Sequence, residues 1–283
     1  KLSVSYEEAC EIVKKALAPL GEEYLSHIRE AMENRWIDVY ENKGKRTGAY
    51  SWGTYRSHPY VLLNYNGTAH DVFTIAHELG HSMHSYYSDK NQPSSKAQYE
   101  IFVAEVASTV NEVLLLKYML EHSRDEQERE YLLTYYLDMF RTTLFRQTQF
   151  AEFEEKAHAL AEKDMPVTCD ALNEEYLKIN KLYYGKNVVS DKQIAWEWAR
   201  IPHFYRSFYV YKYATGLTSA VSIARGILSG GEKEGYMKFL SAGGSMPPVE
   251  ILKLAGVDLT TEVPFENAMR EMSDTLGLLK REK

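Results

Sequence analysis

The stretch Thr74-Ile75-Ala76-His77-Glu78-Leu79-Gly80-His81-Ser82-Met83-His84 constrains this chain more than any other. On a helix, His77 and His81 leave the same face one turn apart, close enough for two imidazoles to hold one zinc ion. Glu78 projects beside them and can take a proton from a water that the metal activates. The alternative is a polar helix face with two unrelated histidines. The neighbours argue against it. Val72, Phe73, Ile75, Ala76, Leu79 and Met83 make this a mostly buried helix, and a buried His-Glu-His cluster needs partners or a metal.

Bulk properties remove several function classes. A chain of 283 residues can bury one sizeable core, and its net charge of −7 lacks the basic stripe of a nucleic-acid binder. No apolar run approaches the roughly 18 residues that a membrane span needs. Two cysteines, Cys10 and Cys169, cannot build a disulfide scaffold, so free thiols and a cytoplasmic setting are expected. No basic-then-apolar leader opens the chain. Lys1 in first place raises the expectation that the sequence begins inside a longer product.

Periodicity predicts a mainly α fold with a small antiparallel or mixed sheet. Ser5 and Glu8 form a capping-box pattern before the first helix, and a second is expected over 22–33. β character is confined to 36–40, 48–53 and a strand over 59–65, where Pro59 suits an edge. Helices follow: one carrying His77 and His81, then 98–120, 126–163, 169–184, 190–200, 202–228, 232–240 and 262–279, with Ala242-Gly243-Gly244-Ser245 in a flexible loop. An extended peptide adding to the strand would contact Tyr60, Leu62 and Asn64, unless that strand is paired on both sides.

A catalytic zinc takes three protein ligands and leaves a fourth position open. Glu105 is the candidate third ligand, because it lies within the otherwise apolar run Phe102-Val103-Ala104-Glu105-Val106-Ala107 and a metal would remove the cost of burying it. Glu100 is the rival, at the edge of that run. Glu112, two turns on, either accepts the second N–H of a zinc histidine or is a surface carboxylate. Asn111 reads as structural. His84 lies too far from His77 to complete a tetrahedron with both others and reads as an outer neighbour or a surface group. His58 and His70 read as ordinary polar histidines.

In the segment Ile201-Pro202-His203-Phe204-Tyr205-Arg206-Ser207-Phe208-Tyr209-Val210-Tyr211-Lys212-Tyr213, the residues Tyr205, Tyr209 and Tyr213 repeat every four positions. They form either an aromatic core stripe or, with His203, a row of donors for an oxyanion.

Together, the stretch Asp71 to Ser82, Glu105-Val106-Ala107-Ser108, His203-Phe204-Tyr205 and Ala242-Gly243-Gly244-Ser245 resemble the thimet oligopeptidase-like metallopeptidases, and within them oligoendopeptidase F. The resemblance runs from about Tyr50 to the C-terminus. It implies a helical zincin catalytic domain with a small sheet beside a deep channel, a single domain over 1–283 with lead-in helices in 1–35. It implies one zinc on His77, His81 and Glu105, Glu78 as general base, His203, Tyr209 and Tyr213 at the oxyanion, Tyr205 among substrate contacts, and oligopeptide substrates. Two departures stand out. The loop before the tyrosines is glycine-rich in thimet oligopeptidase but has no glycine here. Full-length members are also much longer, and their N-terminal half, which roofs the channel, has no counterpart in this sequence. The expected activity is a zinc endopeptidase acting on short unstructured peptides. The alternatives are a zinc-binding fragment inactive without a partner half, or a zinc aminopeptidase, which would need an acidic cluster for the substrate's amine.

Overall fold

The computed structural model describes residues 3–281, and these divide into two compact units. One comprises the chain up to Leu137 together with Gly216 onward; the other is Asp138–Thr215.

In the first unit, α1 (Tyr6–Ala16) begins at a complete capping box, with Ser5 and Glu8 each accepting the other's backbone N–H. α2 (Glu22–Glu33) follows and buries Tyr24, Ile28 and Ala31. Three strands come next: β1 (Ile37–Asp38), β2 (Tyr50–Thr54) and β3 (Ser57–Leu62). Their order is β1-β3-β2, with β3 parallel to β1 and antiparallel to β2, so the small mixed sheet matches expectation.

The expectation of an open edge at residues 60–65 is corrected. β3 is the central strand. The N–H groups of Val61, Leu63 and Tyr65 donate to Trp36, Asp38 and Val39 carbonyls on one side, while Tyr60 and Leu62 pair with Trp52 and Tyr50 on the other. Pro59 is tolerated in a central strand because the register shifts at that point and β1 reaches only Val61 and Leu62. Tyr60 and Leu62 therefore offer no free main chain. Asn64 is also engaged, its amide donating to the carbonyls of Arg46 (3.0 Å) and Gly48 (2.8 Å).

A second capping box, Thr68 with Asp71, starts α3 (Ala69–Asn91). α3 packs on one sheet face through Ser51 and Gly53. The Ser51 and Ser82 hydroxyls are 2.8 Å apart, and a Cβ on Gly53 would sit 2.5 Å from that of Ser85. α4 (Ile101–Glu121), apolar on nearly every side, crosses α3 in the core. Gly80 makes the crossing possible, since a Cβ there would lie 2.6 Å from Ser108 Cα and 2.7 Å from the Ala107 oxygen. A mid-helix glycine costs about 1 kcal/mol relative to alanine; here it allows backbone-to-backbone contact. From Gly216 onward the unit is completed by the larger part of α8 (Tyr211–Leu228) and by α9 (Lys233–Ser241), α10 (Pro248–Leu254) and α11 (Val263–Arg281). Ala242 to Ser245 is tied down rather than flexible: Gly244 N–H donates to the Lys96 oxygen at 2.7 Å. Among the described residues, no helix is long and apolar enough to cross a membrane.

The helix expected over 126–163 starts in the first unit, continues in the second and is interrupted. α5 (Glu126–Met139) passes into a π turn at Phe140–Phe145 before α6 (Arg146–Glu162). α7 (Cys169–Tyr184) packs on α6 around Phe150, Phe153, Tyr176 and Ile179. The helix expected over 190–200 is a tighter 3₁₀ segment, Gln193–Arg200, and the one expected over 202–228 opens as another, Pro202–Tyr205, and becomes α-helical only from Tyr211. Buried Glu197 holds the first of these, accepting from Arg146 (2.6 Å), Arg200 (2.5 Å) and Tyr176 (2.6 Å).

Candidate metal centre

α3 and α4 bring three ligand atoms together. His77 and His81 Nε2 are 3.1 Å apart, and Glu105 Oε2 lies 3.5 Å from the first and 3.6 Å from the second. An ion bonded at about 2.0–2.1 Å to tetrahedral ligands separates them by roughly 3.3–3.4 Å. The triangle therefore fits one ion and leaves a fourth corner open. Among the described residues, this is the one cluster of three or more such groups able to hold a metal. Glu100 stands just before α4 and is not part of it.

The electrostatics fit a cation. Burial opposes ionisation of Glu105, but the His81 hydrogen bond and the charges of His81 and His77 outweigh it and hold the carboxyl near 2. Burial pushes His77 down, yet its bond to Glu112 and the charges of Glu112, Glu105 and Glu78 lift it to about 9. The contact to Glu112 uses Nδ1 and leaves Nε2 facing Glu105. Ser108 Oγ donates to Glu105 Oε2 at 3.2 Å.

Glu78 is 6% exposed, and its Oε2 has no hydrogen-bond partner. Burial raises its carboxyl pKa despite the neighbouring His77 and His81. Glu78 lines a cavity of about 640 Å³ together with His77, Glu112, Thr74, Asn64 and Tyr135. A carboxyl with one buried, unpartnered oxygen in the wall of a cavity beside the His77–His81–Glu105 triangle has the character that proton transfer needs.

Other residues depart from expectation. His84 is not a surface group; it is fully buried, stacked 3.6 Å from the Tyr99 ring, and both ring nitrogens lack partners. Burial drives its pKa down to about 3, so it packs as a neutral aromatic. His58 stacks on Trp36. Asn111 links helices: Tyr24 OH donates to its Oδ1 at 3.0 Å, and its Nδ2 donates to the Ala76 oxygen, also at 3.0 Å. The contribution of Gly80 and Ser108 was not foreseen. The available signal was the pair of small residues Ala107 and Ser108, which lie against that glycine.

In the second unit, His203, Tyr209 and Tyr213 form one ring cluster. The His203 centroid lies 5.3 Å from Tyr209 and 5.8 Å from Tyr213, the two tyrosines are 5.7 Å apart, and Tyr213 OH and His203 Nε2 are within 3.3 Å. The single helical stripe through Tyr205, Tyr209 and Tyr213 is corrected, because no helix spans 206–210. Phe208 adopts φ +55°, which breaks the repeat. Tyr205 is 77% exposed and donates to the Ala199 oxygen, outside the ring cluster.

Known proteins match this arrangement. A model of Peptidase family M3 matches residues 3–271. Over 277 residues the chain is 50% identical to oligopeptidase PepF of Bacillus subtilis (strain 168), which covers 97% of this chain and 41% of that protein. It is 43% identical to the chromosomal oligoendopeptidase F of Lactococcus lactis subsp. cremoris, covering 98% of this chain and 46% of that one. The crystal structure of oligoendopeptidase-F from Enterococcus faecium superposes with TM-score 0.74 at 37% identity, over 99% of this chain and 44% of that one. The chain thus spans less than half the length of these relatives. A family match across nearly all described residues, on a fold whose central helices converge two histidines and a glutamate, establishes that this chain belongs to Peptidase family M3.

Proposed function

We propose that this chain is the catalytic region of a zinc-dependent endopeptidase that hydrolyses short unstructured peptides. The observation that carries the reading is the His77–His81–Glu105 triangle with Glu78 unpartnered at its side. His77, His81 and Glu105 would hold one zinc, which when bound supplies Lewis acidity for the attacking water and the scissile carbonyl. Glu78 takes the proton from that water and delivers it to the leaving amine. Glu112 keeps the His77 proton on Nδ1 and orients the ring. His203, Tyr209 and Tyr213 donate to the developing oxyanion, a role supported by the family resemblance and by their shared ring cluster. The unpaired cysteines, buried Cys10 and exposed Cys169, support a cytoplasmic setting.

A second reading rests on length. The relatives are more than twice as long, so this chain could bind metal yet need the remaining portion for turnover. Both are tested by assaying the purified chain on a quenched bradykinin-like peptide, with and without chelator, alongside metal analysis. Chelator-sensitive cleavage at one zinc per chain supports the first reading. One zinc without cleavage supports the second, and zinc well below one per chain defeats both.

A further inference from the structure

The segment 202–209 is held at both ends and pinned in the middle. Ile201 and Val210 are buried in the same core as Phe150, Phe153 and Tyr176, and the Phe204 ring packs on Phe150 (5.4 Å) and Phe153 (5.3 Å). Between these anchors, Phe208 takes the left-handed conformation, φ +55°. A bulky residue is strained there, whereas glycine would adopt it freely. Something must hold it there. Glu154 of α6 is 4% exposed, and its Oε1 accepts the Phe208 backbone N–H at 2.6 Å. One turn further along α6, His158 packs its ring 4.6 Å from that of Phe208. A pair of α6 side chains thus grips both backbone and ring of the strained residue.

The consequence is local. The turn at Phe208 follows the 3₁₀ segment and re-aims the chain into Tyr209, whose ring meets His203 from six residues earlier. In a continuous helix, residues 203 and 209 would point away from one another. We infer that Glu154 is a positioning residue: by holding Phe208 in its left-handed turn it assembles the His203–Tyr209–Tyr213 cluster. This rests on the proposed oxyanion role of that cluster only for its effect on turnover; the assembly itself can be read without activity.

The test uses ring-to-ring nuclear Overhauser effects among His203, Tyr209 and Tyr213, recorded on the full chain with specifically labelled His and Tyr. Glu154→Ala should weaken the His203–Tyr209 effect and move the Phe208 amide resonance upfield. Adding Phe208→Gly to Glu154→Ala should restore the ring contacts, since glycine needs no clamp. Glu154→Gln keeps an acceptor oxygen and should lie between. It also serves if the alanine variant fails to fold. Unchanged ring contacts in both Glu154 variants, or loss that Phe208→Gly does not rescue, would overturn the inference. In the peptide assay, Glu154→Ala should lower kcat about 10-fold or more, leave KM within about twofold and keep full zinc, with partial recovery in the double variant. If His203→Ala and Tyr213→Phe keep wild-type kcat while the ring contacts follow Glu154 as described, the oxyanion reading fails and the positioning role stands.

Discussion

His77, His81 and Glu105 leave two regular helices that touch through Gly80, whereas His203, Tyr209 and Tyr213 leave a segment interrupted by a left-handed phenylalanine. In the first cluster, helical spacing alone aligns the two histidines, and a close helix crossing delivers the third group. Side chains on packed helices move little, so the ligand triangle keeps near-tetrahedral edges. In the second, no periodicity brings the rings together. Buried anchors at Ile201 and Val210 and the Glu154 clamp do so. A metal site tolerates small errors in ligand placement poorly, and the regular scaffold serves it. The proposed oxyanion donors instead depend on an irregular segment that long-range contacts hold in place.

The comparison is broken most sharply at Glu78. Glu78→Gln should retain one zinc while kcat on a quenched peptide falls about 10²–10⁴-fold, since only the positioned base is lost. Loss of zinc along with activity would make Glu78 a ligand.

On the irregular side, Tyr213→Phe should keep zinc and near-normal KM and lose about 10²–10³ in kcat. If Tyr213→Phe, Tyr209→Phe and His203→Ala all turn over at the wild-type rate, the rings are packing only.

The regular site also predicts a pH dependence. His77 in the metal-free chain is raised from its ordinary 6.5 to about 9. Its ion pairs thus stabilise the metal-free fold fully below about pH 6.5 and lose that effect as pH rises through about 9. Metal binding runs the other way, because Nε2 must give up its proton. Apparent zinc affinity should rise about tenfold per pH unit between pH 7 and 9, with release of about one proton per zinc at pH 7. Calorimetry in buffers of different ionisation enthalpy measures that proton, and pH-independent affinity would contradict the assignment.

Smaller effects test the helix crossing. Gly80→Ala should push α3 from α4, destabilising the fold by about 1–3 kcal/mol and weakening zinc binding more than peptide KM, as read by denaturant titration and metal competition. Smallest is Tyr24→Phe, which removes the donor to Asn111 Oδ1 and should cost about 1 kcal/mol with zinc affinity unchanged. A comparable loss of zinc affinity would show that Asn111 transmits strain to Ala76 and the adjacent ligand His77.

Local order in the chain by itself determined the helical class, the capping box at Ser5, the β region before residue 65, and the candidacy of His77, His81 and Glu105 as a cluster able to hold a metal. These depend on helical periodicity and on the cost of burying a carboxylate, both legible in one dimension. Tertiary structure decided what no local rule contains. Pairing partners placed β3 in the middle of the sheet, although its proline suited an edge, because a register shift removed the need for that N–H. Packing buried His84, whose polarity had suggested an outer position. The tyrosine repeat, regular in sequence, was interrupted because a carboxylate on α6, distant in the chain, accepts the Phe208 N–H and sustains a conformation that phenylalanine would not choose alone.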